Sequence, residues 1–312
     1  MRSAAMRRVD RSLRLVAPKD VAITLIGESG TGKEVLARRI HELSERCRGP
    51  FVPINCAAIP EALFESELFG HERGAFTGAN VQAKGKVAAA AEGTLFLDEI
   101  GEMPLAMQAK LLRFLENRRY MRVGGTTKIQ ADVRLVFATL RSLEDDVRSG
   151  RFRTDLYYRI QGIVLEVPPL RARRADLAPL MEQFVEQLCA RHGTAPPRLT
   201  RGVRAALANY AWPGNVRELR NVIEMLCLLK GGATVRVRDL PAALQSSAKE
   251  PRKQATRAVR VSLDQPLESM VDELIDAVVA DEGGNQTRAA ERLHVSVRTI
   301  QRRATHARRT RL

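Results

Sequence analysis

Between an apolar run and a helix-like stretch lies Gly27-Glu28-Ser29-Gly30-Thr31-Gly32-Lys33-Glu34, the segment that most constrains what this chain can fold into. Its glycines let the backbone wrap so that N–H groups face phosphate oxygens. The helix N-terminus adds a positive dipole, and Lys33 can reach the β and γ phosphates. Such a loop suits a nucleoside triphosphate. The usual pattern ends in Ser or Thr, whose hydroxyl binds Mg²⁺, whereas this one ends in Glu34, so the generic match is imperfect. Taken alone, the segment also reads as a Gly-rich turn joining a strand to a helix.

A second element favours the nucleotide. Gly93-Thr94-Leu95-Phe96-Leu97-Asp98-Glu99 has the pattern of a buried strand ending in two carboxylates. The first acid can hold hydrated Mg²⁺ and the second can polarise an attacking water. Acids at a strand end are common, but together with the upstream loop they point to nucleotide hydrolysis.

Around these motifs short apolar runs alternate with helical patterns, as in βαβ units with a parallel sheet. The candidate strands are Val21 to Ile26, Phe51 to Ile54, Thr94 to Leu97, Val133 to Ala138 and Ile163 to Val167. Lys33 to Arg46 and Leu105 to Asn117 read as helices. After Pro169 the β pattern stops, and Asp176 to Arg191, Arg201 to Tyr210 and Asn215 to Lys230 all read as helices. Most of Gly231 to Val261 is poor in large apolar residues and reads as a linker, followed by a compact helical module from about Leu263.

Composition is consistent with this division. A chain of 312 residues fits two or three domains, and 45% hydrophobic residues can build a sizeable core. No apolar run approaches the roughly 20 residues of a membrane helix, and the basic N-terminus lacks the apolar stretch of a secretory signal. The cysteines Cys47, Cys56, Cys189 and Cys227 form no CxxC pair, so neither a zinc site nor a disulfide framework is expected. A cytoplasmic protein without a membrane partner is the expectation. The net charge of +15 raises the expectation of a polyanionic partner, and its distribution says where. Gly284 to Leu312 holds eight Arg or Lys residues against the single acid Glu291, whereas Leu267 to Glu282 holds six acids and no base.

The segment Glu65 to Ala79, ESELFGHERGAFTGA, carries an identification. Gly74-Ala75-Phe76-Thr77-Gly78-Ala79 is identical to the GAFTGA loop of the sigma-54-dependent transcription activators, a branch of the AAA+ ATPases. The resemblance extends over GESGTGKE, NCAA (Asn55 to Ala58), GTLFLDEI, RVGG (Arg122 to Gly125), FRTDLYYR, VPPLR and WPGNVREL. It covers nearly the whole chain and accounts for Glu34, because this family's loop ends GKE.

The resemblance implies an AAA+ α/β core over residues 1–169, a helical lid over 170–243, a linker over 244–262 and a DNA-binding domain over 263–312. It implies ATP and Mg²⁺, bound through Gly27 to Glu34 and Asp98, and a homo-oligomeric ring of six or seven subunits. Asp98 and Glu99 match the metal-binding and catalytic acids, and Asn55 resembles the switch residue that holds Glu99 away from water. Arg153 and Arg159 match arginines that reach the neighbouring subunit's site, and Arg217 matches the sensor arginine of the lid. Gly74 to Ala79 would protrude, with Phe76 and Thr77 touching the sigma factor, so that ATP turnover remodels the closed promoter complex of the sigma-54 RNA polymerase holoenzyme.

At the C-terminal end Leu267, Met270, Val271, Leu274, Ile275, Val278 and Val279 follow helical spacing as one apolar stripe. Gly283-Gly284 stops that helix, and Asn285 or Thr287 can cap the next. Thr287 to Leu293 and Ser296 to Arg303 then give helix-turn-helix spacing, with Ala290 allowing close packing and Leu293, Val295, Val297 and Ile300 filling the core. A helical hairpin with a solvated basic tail has the same spacing. GGNQTRAAERL resembles the Fis-type domain of these activators, which implies enhancer DNA read by Ser296, Arg298, Thr299, Gln301 and Arg302. Arg303, Arg308, Arg309 and Arg311 are then available for phosphates.

Two departures qualify the match. Where the family follows its fourth core strand with Ala-Thr-Asn, this chain reads Ala138-Thr139-Leu140, which removes an amide donor and acceptor beside the catalytic acids. His294 stands where the family commonly has Gly in the helix-turn-helix turn. Family members also commonly carry a sensory domain before the ATPase. Its place here would be taken by a separate regulatory protein, or the sensor has been lost. Beside the activator reading stand a DNA-binding regulator that uses ATP only for assembly and an AAA+ remodeller of another protein.

Overall fold

The computed structural model describes residues 3–140, 142–248 and 266–302, and the chain divides into two units at residue 248. The first unit opens with helix α1 (Ala4–Val16), strand β1 (Ile23–Ile26), α2 (Lys33–Glu42), β2 (Phe51–Asn55) and α3 (Glu61–Phe69). A hairpin of β3 (Gly70–His71) and β4 (Ala83–Lys84) follows, then α4 (Lys86–Ala89), β5 (Thr94–Asp98) and α5 (Leu105–Asn117). A second hairpin, β6 (Arg119–Tyr120) with β7 (Ile129–Gln130), leads to β8 (Arg134–Thr139), α6 (Leu143–Arg148), α7 (Thr154–Ile160) and β9 (Ile163–Glu166).

The parallel sheet expected from the alternating pattern is present, in the order β2-β5-β8-β1-β9. A parallel sheet must be covered on both faces, and the two-residue period of the strands sorts the side chains accordingly. Leu95, Leu97, Leu135 and Phe137 pack with Phe64, Leu111, Phe114 and Leu156 on one face. Phe96, Val136, Ala138, Ile23 and Leu25 pack with Leu13, Leu36 and Ile40 on the other. The predicted α2 helix stops early, at Glu42, because Ser44 turns back to bond the His41 carbonyl (2.7 Å) and caps a tight turn at Arg46.

Helix α1 carries no motif in the sequence reading, yet both its ends are pinned. Ser3 caps its first turn and also donates, through its backbone N–H (2.9 Å) and its hydroxyl (2.5 Å), to the buried Asp176 carboxylate. At the other end the buried Arg134 guanidinium on β8 donates to the carbonyls of Val16 and Ala17. A buried guanidinium needs such acceptors, and the last carbonyls of a helix are free to supply them.

The lid comprises α8 (Leu177–His192), β10 (Arg198–Leu199), α9 (Arg201–Asn209), α10 (Asn215–Lys230), β11 (Thr234–Val235) and α11 (Ala242–Ala248). The residues after Gly231, expected to be mostly linker, belong to it as far as Ala248. Strand β11 pairs with β10, and Val235, Leu240 and Leu244 are buried beside Trp212 and Leu219. A few well-placed apolar residues suffice to seal α11 onto α9, which a compositional reading overlooks. The linker boundary drawn at residue 244 therefore falls inside a packed helix, and the rest of that stretch, to residue 262, lies outside the described residues.

The second unit, taken by itself, consists of α12 (Leu267–Asp281), α13 (Gln286–Leu293) and a helix α14 over residues 297–302. Ile275, Ala289, Ala290 and Ile300 form its buried centre, with Val271, Val278, Leu293 and Val297 around them. Val295, expected in the core, and Leu267 and Leu274 of the apolar stripe are exposed instead. Two short helices cover only part of the long α12, so its stripe is buried over its middle and not along its length. Asn285, and not Thr287, caps α13 by accepting from the N–H groups of Thr287 and Arg288. His294 takes the left-handed turn position at φ 53°, a conformation His adopts less readily than Gly.

Candidate functional site

Strand order sets the site. Strands β5, β8 and β1 are neighbours, so the segments leaving their C-terminal ends meet at one edge, where open α/β sheets bind ligands. From β1 the chain enters the Gly27–Glu34 loop, in which Gly30 (φ 72°) and Gly32 (φ 97°) take the left-handed backbone that glycine adopts at no steric penalty. Thr31 steadies the turn by donating to the Glu28 carbonyl (2.8 Å), and the buried Lys33 ammonium donates to the Gly27 carbonyl (2.8 Å). The loop runs straight into the first turn of α2, whose free backbone amides are of the kind that cradle a phosphate.

Asp98 ends β5 in register with Asn55 at the end of β2. Glu99 follows in a left-handed conformation (φ 54°), unusual for a non-glycine residue and a local strain at the site. Its carboxylate lies 3.9 Å from Lys33 Nζ and accepts a hydrogen bond from the backbone of Leu140. Burial pushes both acids up, while the Lys33 charge pulls each back down. Burial also lowers Lys33, and the two carboxylates counter it. One cation and two acids thus share a partly dry pocket. The adjacent Cys56 thiol, buried and facing both acids, is pushed up to about 12 and is not a nucleophile.

Asn55 stands next to the acids, but its side-chain oxygen accepts from the Ala57 N–H (3.0 Å), and the contacts that hold Glu99 come from Lys33 and Leu140. Glu34 turns outward toward Arg38 (3.7 Å) and contributes its backbone alone to the cradle. Arg153 pairs with Asp155 (2.7 Å) and Arg159 donates to the Leu115 carbonyl (3.4 Å); both lie on the surface around α7. No cluster of three metal-ligating side chains occurs among the described residues, so a metal here would rely on Asp98 with phosphates and water, as Mg²⁺ does.

The lid closes over the cradle through contacts that the sequence reading did not assign. Arg171 grips Glu28 with two bonds (2.7 and 2.5 Å), and Asn215 donates to Glu28 (3.1 Å) and to the Ser29 carbonyl (2.9 Å). These partners hold the Glu28 carboxyl at about 2. Arg173 donates to the Thr31 carbonyl (2.6 Å), and Arg217, the expected sensor, donates to Ser29 Oγ (2.7 Å). Arg171 and Asn215 stood in the matched segments VPPLR and WPGNVREL, but nothing in their spacing says that they reach the loop. A cavity of about 560 Å³ opens beside Gly27 and Glu28, walled by Val9, Ser12, Val164 and Val167.

The Gly74–Ala79 loop sits at the tip of the β3–β4 hairpin. Gly74 (φ 81°) and Gly78 (φ 102°) make the turns, and the Gly74 N–H donates to the Ala79 carbonyl (2.8 Å). Phe76 is 40% exposed and leans edge-on against His71 at 5.0 Å. Arg122 to Gly125 support the loop from the β6–β7 hairpin: Arg122 pairs with Glu72 (2.8 Å), and a Cβ on Gly124 would come within 2.8 Å of the Ala75 Cβ. In the second unit Ser296, Arg298, Gln301 and Arg302 are exposed and Thr299 half-buried at the start of α14; Arg303, Arg308, Arg309 and Arg311 lie outside the described residues.

Comparison with known proteins agrees with this architecture. Residues 1–166 match the sigma-54 interaction domain and residues 171–257 the AAA+ ATPase lid domain. The transcriptional regulatory protein ZraR of Klebsiella oxytoca is 43% identical over 298 residues, 96% of this chain, and the chain spans 66% of that relative's length. The Nif-specific regulatory protein of Herbaspirillum seropedicae is 51% identical over 230 residues, covering 74% of this chain and 42% of its own. The crystal structure of NtrX from Brucella abortus in complex with ATP superposes with a TM-score of 0.72 at 35% identity, covering 98% of this chain and 68% of that one. With its phosphate cradle, paired acids, lid and GAFTGA hairpin, the chain belongs to the sigma-54 interaction domain family of AAA+ proteins.

Proposed function

We propose that this chain is a ring-forming, cytoplasmic ATPase that activates transcription by the sigma-54 RNA polymerase holoenzyme while tethered to enhancer DNA by its C-terminal helices. ATP fits the site: its phosphates occupy the Gly27–Lys33 cradle and its base the cavity between α1 and β9. Asp98 would hold Mg²⁺, which neutralises charge on the β and γ phosphates. Glu99 takes the proton of the attacking water, Lys33 steadies the γ-phosphate, and Arg217 reports the nucleotide to the lid. Arg153, just before α7, and Arg159, on it, are exposed and serve the neighbouring subunit's site in a hexameric or heptameric ring. An arginine supplied in this way is worth about 10³ to 10⁵ in rate for related enzymes.

The observation that carries the sigma-54 reading is the intact Gly74–Ala79 loop, presented at a hairpin tip with Phe76 half out in solvent. Ser296, Arg298, Thr299, Gln301 and Arg302 serve as groove readers on the DNA, and Arg303 binds its phosphates. Because catalysis needs arginines in trans, ATP turnover per chain should rise steeply with protein concentration and vanish in Lys33→Ala. The second reading, ATP used for assembly alone, draws on Leu140, which supplies only its backbone N–H to Glu99. Binding of ATP without turnover at high concentration would establish that reading in place of ours.

A further inference from the structure

Behind the Gly74–Ala79 loop, between α5 and the β6–β7 hairpin, lies a groove of about 1000 Å³, separate from the nucleotide cradle. Its lining is strongly basic. Lys110 is neutralised by Glu65, and Arg122 by Glu72. The side chains of Arg113, Arg119 and Lys128 are exposed and have no hydrogen-bond or ion-pair partner among the described residues. Apolar surface lies between these cations: Met121 is 48% exposed, over a floor formed by Phe69 and Tyr120.

We propose that this groove docks an extended acidic peptide segment of the protein that the Gly74–Ala79 loop engages; the identity of that protein rests on the function proposed above. Three unpaired cations around an exposed methionine match carboxylates alternating with an apolar side chain. The Glu116 carboxylate at its edge, with no ion-pair partner among the described residues, would repel a continuous run of phosphates. Position supports the assignment. Arg122 to Gly125 line the groove and also brace the loop, through the Arg122–Glu72 pair and the close approach of Gly124 to Ala75. A segment bound here would therefore press on the hairpin that holds Phe76.

The test uses the full chain and a fluorescein-labelled peptide of repeated Asp-Leu-Glu, followed by anisotropy at low salt, with a labelled oligo(dT) in parallel. Removing three exposed charge pairs should weaken peptide binding about tenfold in R113Q/R119Q/K128Q, and added salt should weaken wild-type binding, as expected for screened surface charges. Basal ATPase should be unchanged in the variant, which also shows that it folds. Peptide binding equal in wild type and variant overturns the proposal, as does a loss confined to oligo(dT), which would make the groove a nucleic-acid site. The sigma-54 reading is judged separately, by open-complex formation with the wild-type chain, so its failure leaves the peptide result interpretable.

Discussion

Replacing Gly30 by alanine tests how the lid seats on the phosphate loop. A Cβ at Gly30 would fall 2.5 Å from the Gly214 carbonyl and 2.9 Å from the Arg217 Cβ, on a backbone with φ 72°. The left-handed conformation costs about 1–2 kcal/mol for a non-glycine residue. Overpacking against a backbone carbonyl costs about 1–3 kcal/mol more. Moving the lid away would break the Val216 N–H bond to the Gly30 carbonyl (2.9 Å) and displace Arg217 from Ser29. Gly32 is the internal control, since it has φ 97° but nothing within 4 Å of its would-be Cβ. Both variants carry backbone strain; only Gly30→Ala carries the clash. At roughly 2–4 °C per kcal/mol for a unit of this size, Gly30→Ala should melt about 2–12 °C below Gly32→Ala by calorimetry. Equal melting temperatures for the two variants would refute the lid contact as described.

Three further outcomes follow from the geometry. Glu28 is held at about 2 against an ordinary value of 4.5, so its pairing with Arg171 and Asn215 stabilises the fold above 4.5 and is lost as the pH falls toward 2. The melting-temperature gap between wild type and Glu28→Gln should thus narrow across that window, and a constant gap would contradict the pairing. Leu140→Asn restores an amide beside Glu99; one hydrogen bond of about 0.5–1.5 kcal/mol predicts roughly two- to tenfold more open complexes per ATP hydrolysed. An unchanged ratio removes Leu140 as the weak point in coupling. Ile300 is fully buried, and Ile300→Ala should cost about 2–5 kcal/mol in a small module, abolishing DNA binding in a mobility-shift assay while ATPase persists.

The sheet and the phosphate loop were legible in the sequence because their physics is local: buried strands are short apolar runs, and a cradle needs glycines before a lysine. What escaped depends on partners distant in sequence. Arg171 and Asn215 meet Glu28 only once the lid has folded over the core, and α1 acquires its role from Asp176 and Arg134. The lid's extension to Ala248 was hidden because Val235, Leu240 and Leu244 form no periodic stripe. Leu267 and Leu274 lie on the apolar stripe and Val295 was expected in the core, but too little chain packs around them to bury them. Asn55 shows the same limit at the site itself: its position beside Asp98 was readable, its hydrogen bond to Ala57 was not.

In the proposed function, the Gly74–Ala79 loop uses the energy of hydrolysis to remodel the closed promoter complex. Open-complex formation on a supercoiled promoter by the sigma-54 holoenzyme, with wild type and Thr77→Ala compared at equal ATPase rates, tests it most directly. ATP-dependent open complexes are expected with the wild type and none with Thr77→Ala. Open complexes from both proteins, or from neither under any nucleotide condition, would contradict it.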